Sequence, residues 1–269
     1  MLLAENEMCD ALRVDGADVR FVRTHPEDDS PTLLVHGGSA HVGWWFGLAP
    51  LLTDLPLLAM ELSGHGTSDH RRAYSPDGWV RELSAVLDHA ARGPVTIVGH
   101  SMGGALALRL AATRPDLVSR LVLLDVRVRG RSSARQVPEV HRVVATHREA
   151  VNSFRLRPRE TTADADLLAR VAAHGLRRVP GGWSWSFDLR TVGTPVAVDL
   201  DPVIEQVCCP VTYAWGEHSP IADAGSADHL DAILDRPVER RVITGAHHNV
   251  TLDDPEACAR LIREALGRE

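Results

Sequence analysis

The sequence predicts an α/β fold, with a mostly parallel central sheet flanked by helices and an inserted helical cap. Three observations predict it. Short apolar runs bounded by turn residues alternate with longer stretches of helical spacing, the pattern of a parallel sheet covered on both faces. A glycine-rich turn, Gly99-His100-Ser101-Met102-Gly103-Gly104, stands between one such run and one such helix. The alternation lapses from about Val126 to Ile204 and then resumes, which marks an insertion lying over the sheet.

In chain order, Leu12 to Val14 and Val19 to Val22 flank Asp15-Gly16 and read as a hairpin. Thr32 to Val35 is a buried strand that runs into His36-Gly37-Gly38. Trp44 to Leu52 reads as a helix, and Leu57 to Leu62 as the next strand, followed by the turn Ser63-Gly64-His65-Gly66. Between Asp77 and Ala90, Trp79, Leu83, Val86 and Leu87 fall on one helical face. Val95 to Val98 is a strand, Met102 to Thr113 an Ala/Leu-rich helix ending before Pro115, and Leu121 to Leu124 a strand ending at Asp125. Inside the insertion, Thr162 to Ala173 has helical character and Gly181-Gly182-Trp183-Ser184-Trp185 gathers tryptophans. Val211 to Trp215 and Val238 to Ile243 restore the sheet pattern, and a helix from Pro255 to about Leu266 follows. The expected division is a core, residues 1–126 and 205–269, and a cap, residues 127–204.

A chain of 269 residues is long enough for one large domain with a modest insertion, and 44% hydrophobic with 24% charged residues is ordinary for a soluble globular protein. The net charge of −7 argues against nucleic acid or an anionic membrane as partner, since both need a basic face. Arg127, Arg129, Arg131 and Arg135 form a local basic run that reads as a solvated loop. No stretch approaches the ~20 apolar residues of a membrane span. The opening Met1-Leu2-Leu3-Ala4-Glu5-Asn6-Glu7 is acidic where a signal peptide needs a basic start. The cysteines, Cys9, Cys208, Cys209 and Cys258, match no zinc spacing and suggest a reducing compartment. The expectation is a cytoplasmic protein, monomer or homodimer, that takes a small-molecule substrate and uses no metal or cofactor.

Gly99 to Gly103 fits G-x-S-x-G, in which a serine occupies a tight strand-to-helix turn. The flanking glycines keep side chains out of that turn, and the helix N-terminus behind the hydroxyl favours negative charge. A serine hydroxyl is a poor nucleophile until a base takes its proton. Of fourteen histidines, His248 and its neighbour His247 follow the last strand and precede the last helix, so either fits. Acyl transfer also needs N–H donors aimed at the developing oxyanion. The backbone of Met102 supplies one, and Gly38, in the loop after Thr32 to Val35, supplies the second. Gly37, Trp44, Arg155 and Trp183 are candidate substrate-binding residues, with Trp45 and Trp185 as further walls of an apolar acyl pocket. Arg155 would meet a substrate carboxylate from the cap.

Together these elements resemble the α/β-hydrolase fold superfamily, in its capped serine esterase, lactonase and C–C hydrolase branch. The matching residues are His36-Gly37-Gly38, Gly64-His65-Gly66-Thr67-Ser68, Gly99 to Gly104, Leu121 to Asp125, and Gly245 to Asn249 followed by Asp254-Pro255-Glu256. They occur in the family's order over residues 12–267. The resemblance implies a Ser–His–acid triad with Ser101 as nucleophile and His248, rather than His247, as base. One departure stands out. Where many members carry Gly-Glu-x-Asp, this chain has Gly216-Glu217-His218-Ser219, and Ser219 cannot balance an imidazolium as an aspartate does. Asp125 is the favoured replacement, with Glu217, Asp223 or no charged residue as alternatives.

The expected activity is hydrolysis of a carboxylic ester, thioester or lactone of a small molecule through an acyl-enzyme on Ser101. A nucleophilic serine disfavours the dehalogenase and epoxide hydrolase activities that the resemblance associates with aspartate at that position. Two rivals stand beside this reading. One is a cofactor-independent lyase, cyclase or dioxygenase that uses the Ser–His pair for proton transfer. The other is a ligand-binding receptor on the same scaffold, because fold alone does not dictate function.

Overall fold

In a computed structural model of the chain, residues 10–130 and 141–268 are described. The opening heptapeptide, Cys9, Arg131 and Arg135 lie outside them. The chain begins with the predicted hairpin, β1 (Asp10–Val14) and β2 (Ala17–Arg23), which turns through Asp15 and Gly16 at positive φ. There follow β3 (Thr32–Val35), β4 (Leu57–Glu61), α1 (Pro76–Ala90), β5 (Val95–His100), α2 (Met102–Thr113) and β6 (Val118–Leu124). The segment after β6 holds α3 (His147–Asn152), α4 (Ala165–His174), β7 (Leu176–Val179), β8 (Gly182–Trp185) and α5 (Asp201–Ile204). The chain continues with β9 (Val211–Gly216), α6 (Ala224–Leu234), β10 (Glu239–Ile243), α7 (Val250–Asp253) and α8 (Pro255–Ala265).

Eight strands form one sheet in the order β1-β2-β4-β3-β5-β6-β9-β10. β2 pairs antiparallel with β1 and β4, and the remaining pairs are parallel. The strand order reverses at β3, which lies between β4 and β5. Crossovers from the C-terminal ends of β3 and β5 therefore leave on opposite sides, and a crevice opens between them. His36 and Ser101 follow those two strand ends directly.

The central strands are apolar without alternation because both faces are covered. Leu33, Val35, Ile97, Leu121 and Leu123 pack with α1 and α2 on one face. Leu34, Val98, Val122 and Leu124 pack with α8 on the other. A third cluster joins Trp44 and Phe46 of the core to Leu156 and Val171 of the inserted segment, which holds that segment over the crevice.

Two expectations are corrected. Trp44 to Leu52 does not form one helix but two 3₁₀ turns, Val42–Trp45 and Ala49–Leu51. In a continuous α-helix Pro50 would lack its N–H and its ring would meet the carbonyl of Phe46. The inserted segment is not purely helical, since β7 and β8 form a separate antiparallel ribbon carrying both Trp183 and Trp185. Helix α6 was not predicted. Its buried face amounts to Ser226, Ala227 and Leu230, too little apolar spacing to stand out from a loop.

Helix α2 crosses the strand ends at very close range. A Cβ on Gly103 would lie 2.2 Å from the Val35 carbonyl oxygen, and one on Gly104 would lie 2.2 Å from Val126 Cγ2. Gly103→Ala is expected to lower stability by about 1–3 kcal/mol, the usual cost of overpacking, because a strand carbonyl cannot step aside. An unchanged thermal midpoint would mean that the helix and strand do not pack at this distance.

Candidate active site

Ser101 closes the junction of β5 and α2 at φ 51° and ψ −116°, a conformation that L-residues rarely adopt. The turn is held from below: Ser101 N–H donates to the Leu124 carbonyl at 3.0 Å, and its own carbonyl accepts the Gly104 N–H at 3.1 Å. Gly99 is required on the strand side, where a Cβ would lie 2.6 Å from Gly104 Cα. The side chain of Ser101 is left half-buried on the wall of a cavity of about 920 Å³.

Asp125 follows β6, also at positive φ, and is fully buried. Its Oδ1 accepts from His248 Nδ1 at 2.7 Å, and its Oδ2 accepts the Gly216 N–H at 2.9 Å. With Nδ1 engaged, Nε2 is the remaining nitrogen of the His248 ring, and His248 lines the same cavity as Ser101. The substituted position reappears here. Ser219 Oγ donates to Asp125 Oδ1 at 2.7 Å and accepts the Ile221 N–H at 3.0 Å. At the position where the resemblance implies an aspartate, this chain carries a hydroxyl that bonds the aspartate at the end of the neighbouring strand.

The other candidate acids are engaged elsewhere. Glu217 accepts the Gly245 N–H at 2.8 Å. Asp223 caps α6 through the Ser226 N–H at 2.8 Å and pairs with Arg129 at 2.5 Å. His247 packs on His218, and its N–H donates to Asp253.

Gly38 meets Met102 at the cavity edge, where a Cβ on Gly38 would lie 3.6 Å from Met102 Sδ. Met102 is the first residue of α2, so its N–H has no helical partner and is open to an anion. The loop bearing Gly37 and Gly38 is fixed by His36. His36 Nε2 accepts the Leu62 N–H at 3.2 Å, which leaves Nδ1–H to donate to the Gly37 carbonyl at 2.7 Å. A Cβ on Gly37 would sit 3.0 Å from His100 Nδ1 and 3.3 Å from Ser101 Cβ, so a side chain here would crowd the approach to the serine.

Of the proposed pocket aromatics, Trp44 and Trp185 line the cavity, together with Phe154. Trp45 lies in the core, and Trp183 is not a cavity residue: it packs against His147 and under Arg178. Trp183 and Trp185 are two apart on β8 and share a face of the ribbon, so alternation does not separate them; their neighbours do, with Phe154 beside Trp185 and His147 and Arg178 beside Trp183. Arg155 lines the cavity, with Nη1 donating to the carbonyls of Asn152 and Phe154.

A family model described as the alpha/beta hydrolase family matches residues 32–261. The chain belongs to that family. The esterase Rv0045c of Mycobacterium tuberculosis is 32% identical over 248 residues, covering 87% of this chain and 82% of the relative. Lipase LipV of the same organism is 44% identical over 108 residues, 40% of this chain and 41% of its own length. Among solved structures, the thioesterase domain from the curacin biosynthetic pathway superposes with a TM-score of 0.79 at 22% identity, covering 94% of this chain and 98% of that one.

Two residues of this hydrolase's site lie within motifs visible in the sequence, which assign them no role. His100 Nε2 donates to the His248 carbonyl at 2.9 Å and so steadies the loop of the candidate base. Burial and the neighbouring His248 depress its pKa to about 3, so it stays neutral. Asn249 is buried on the cavity wall, and its Oδ1 accepts Trp44 Nε1–H at 3.3 Å. That bond assigns the amide orientation and leaves Nδ2 without a protein partner.

Among the described residues one group has metal-ligand spacing: His41, Glu61 and His174 bring ligand atoms within 4.8 Å of one another. Protein hydrogen bonds engage two of the three, His41 and Glu61, while His174 Nε2 makes only an ion-pair-range contact. His41 Nδ1 accepts the Gly43 N–H at 3.1 Å, so a metal on that nitrogen would displace it. Burial disfavours the Glu61 carboxylate, yet the nearby His174 and His41 rings and the Thr67 N–H hold it ionised with a pKa of about 2. His174 Nε2 faces Glu61 Oε1 at 3.5 Å, which makes the group a contact between the inserted segment and the core. No helix among the described residues is long and apolar enough to cross a membrane.

Asp125→Asn is expected to lower kcat by about 10³–10⁴-fold, since an amide disturbs both the tautomer and the charge balance of His248. Glu217→Gln should stay within about twofold of wild type, as its carboxylate holds a remote turn. Steady-state kinetics on both variants checks the pair, and the reverse ranking would move the acid to Glu217.

His41 and His100 are buried and neutral, each with a pKa depressed to about 3, His41 chiefly by burial and then by His174. The unfolded chain takes up protons at such histidines below about pH 6.5, while the folded chain does not. Stability is therefore present above that pH and lost as pH falls toward 3, by roughly 1–2 kcal/mol per histidine at pH 5. Urea midpoints at pH 7.5 and 5 measure this, and His100→Gln should flatten the slope.

Proposed function

We propose that this hydrolase cleaves a carboxylic ester or thioester of a small molecule through an acyl-enzyme on Ser101. The observation that carries the reading is the buried 2.7 Å bond between Asp125 Oδ1 and His248 Nδ1, beside a strained Ser101 on the same cavity. The esterase and lipase names of the two mycobacterial relatives agree with it.

The chemistry follows from the groups in place. Asp125 keeps the proton of His248 on Nδ1, so Nε2 is the basic nitrogen and takes the Ser101 proton as Oγ attacks the carbonyl. Negative charge grows on the carbonyl oxygen, which the Met102 and Gly38 N–H groups receive; each such donor is typically worth about 3–4 kcal/mol at the transition state. The imidazolium formed on His248 is balanced by a carboxylate that Ser219 and the Gly216 N–H hold in line. His248 then protonates the leaving oxygen or sulfur. A water, deprotonated by the same nitrogen, releases the acyl group and returns the serine. The lyase, cyclase or dioxygenase alternative drew its weight from the absence of an acid at position 219, and the bond from Asp125 to His248 supports the hydrolytic reading against it.

Intact-protein mass after exposure to a small fluorophosphonate tests the proposal. A single adduct on wild type and none on Ser101→Ala is the expected result, with ester turnover abolished in the variant. A folded wild-type protein that forms no adduct would falsify an activated Ser101 and return the site to proton-transfer or receptor readings.

A further inference from the structure

We propose that this hydrolase selects substrates carrying an anionic group, a carboxylate or phosphate, in addition to the bond it cleaves, and that Arg127, Arg155 and Arg157 supply the selectivity. The inference rests on the hydrolase reading above and names its substrate class.

The chain as a whole is acidic, with 36 Asp and Glu against 29 Lys and Arg. The cavity has the opposite character. Arg127, Arg142, Arg155, Arg157 and Arg159 line it, and no aspartate or glutamate does so among the described residues. The positive charge comes from two parts of the fold. Arg127 lies two residues beyond Asp125 at the end of β6, whereas Arg155, Arg157 and Arg159 lie on the inserted segment after α3. A ligand lying between Ser101 and the inserted segment therefore meets guanidinium groups from both.

These arginines are not held by internal carboxylates. Elsewhere in the molecule arginines close on acids, as Arg71 does on Glu82 at 2.9 Å and Arg190 on Asp188 at 2.6 Å. At the cavity, Arg155 uses only Nη1, on two main-chain carbonyls. Arg142 approaches Glu149 at 3.8 Å with its side chain 82% exposed, a screened contact worth little. Arg127, Arg157 and Arg159 have no carboxylate partner among the described residues, and Arg127 is half-buried. Arg155, Arg157 and Arg159 are exposed at the cavity mouth, and like charges gathered around a concave site repel one another and raise a positive potential in it. An anion relieves that repulsion, and a guanidinium matches carboxylate or phosphate with two parallel N–H bonds.

The rest of the wall fits an amphipathic anion. Trp44, Phe154, Leu156 and Trp185 offer apolar surface for a hydrocarbon portion. Asn249 contributes a buried amide whose Nδ2 has no protein partner, a neutral donor on the wall of the same cavity.

The test compares matched substrates that differ by one charge. p-Nitrophenyl butyrate is set against p-nitrophenyl hemiglutarate, with the anion on the acyl side, and phenyl acetate against 4-carboxyphenyl acetate and phenyl acetate bearing a 4-phosphate, with the anion on the leaving group. The expected result is a kcat/KM at least about tenfold higher for an anionic member of one pair, with the advantage shrinking as ionic strength rises. In Arg155→Glu/Arg157→Glu the ratio of anionic to neutral kcat/KM should fall below unity, whereas Arg157→Lys should keep most of it. Equal or better turnover of the neutral members overturns the inference and leaves the serine hydrolase reading standing. If no ester turns over and no fluorophosphonate adduct forms, the hydrolase reading fails instead. The anion site is then judged by calorimetric titration of wild type with glutarate: salt-sensitive binding lost in the double variant upholds it, and no binding overturns it.

Discussion

The absence of space at the β5–α2 junction is the constraint on which the site depends. Helix α2 passes so close to β3 and β6 that Gly99, Gly103 and Gly104 have no room for a Cβ. Close packing forces the chain to reverse within one residue, and that residue, Ser101, takes a positive φ that lifts its side chain off the sheet and onto the cavity wall. The strain is local, and the surrounding hydrophobic layers stabilise it. The same closeness directs the first N–H of α2 to the place where an oxyanion would form, because a helix starting at that point has no earlier turn to accept its donors.

Around this fixed point, buried polar groups hold one another in single arrangements. His36 orients the Gly37–Gly38 loop, His100 holds the loop of His248, and Ser219 with the Gly216 N–H holds Asp125. Each is a hydrogen bond at a largely buried position, where an unpaired partner would be costly. The histidines among them stay neutral because burial disfavours their charge, which keeps the positive charge of the region on the arginines at the cavity wall. The site thus has two layers: the buried Asp125–His248 pair beneath, and arginines on the cavity wall above.

Much of the core was legible because its physics is local. A strand covered on both faces must be apolar throughout, so β3, β5 and β6 stand out as short Val/Leu/Ile runs. A helix that crosses a strand at contact distance needs glycine, so the turn around Ser101 announces itself. The elements that escaped were those whose local signal is weak or contradicted. Helix α6 buries little, the β7–β8 ribbon pairs with itself at the edge of the fold, and Pro50 divides a stretch whose apolar content suggested a helix.

The sequence by itself determined the strand–turn–helix that carries Ser101, the glycines beside it, and the order of strands that brings a histidine loop after the last of them. These follow from residue type and spacing within a few positions. Which acid meets His248 was decided by tertiary structure, because β6 and β9 are neighbours in the sheet although some 90 residues separate Asp125 from Ser219 along the chain. Pairing those strands places the aspartate of one and the serine of the other at a single oxygen. The gathering of arginines from β6 and the inserted segment around one cavity has the same origin: charges far apart in sequence share a field only when the fold brings them to one concave surface.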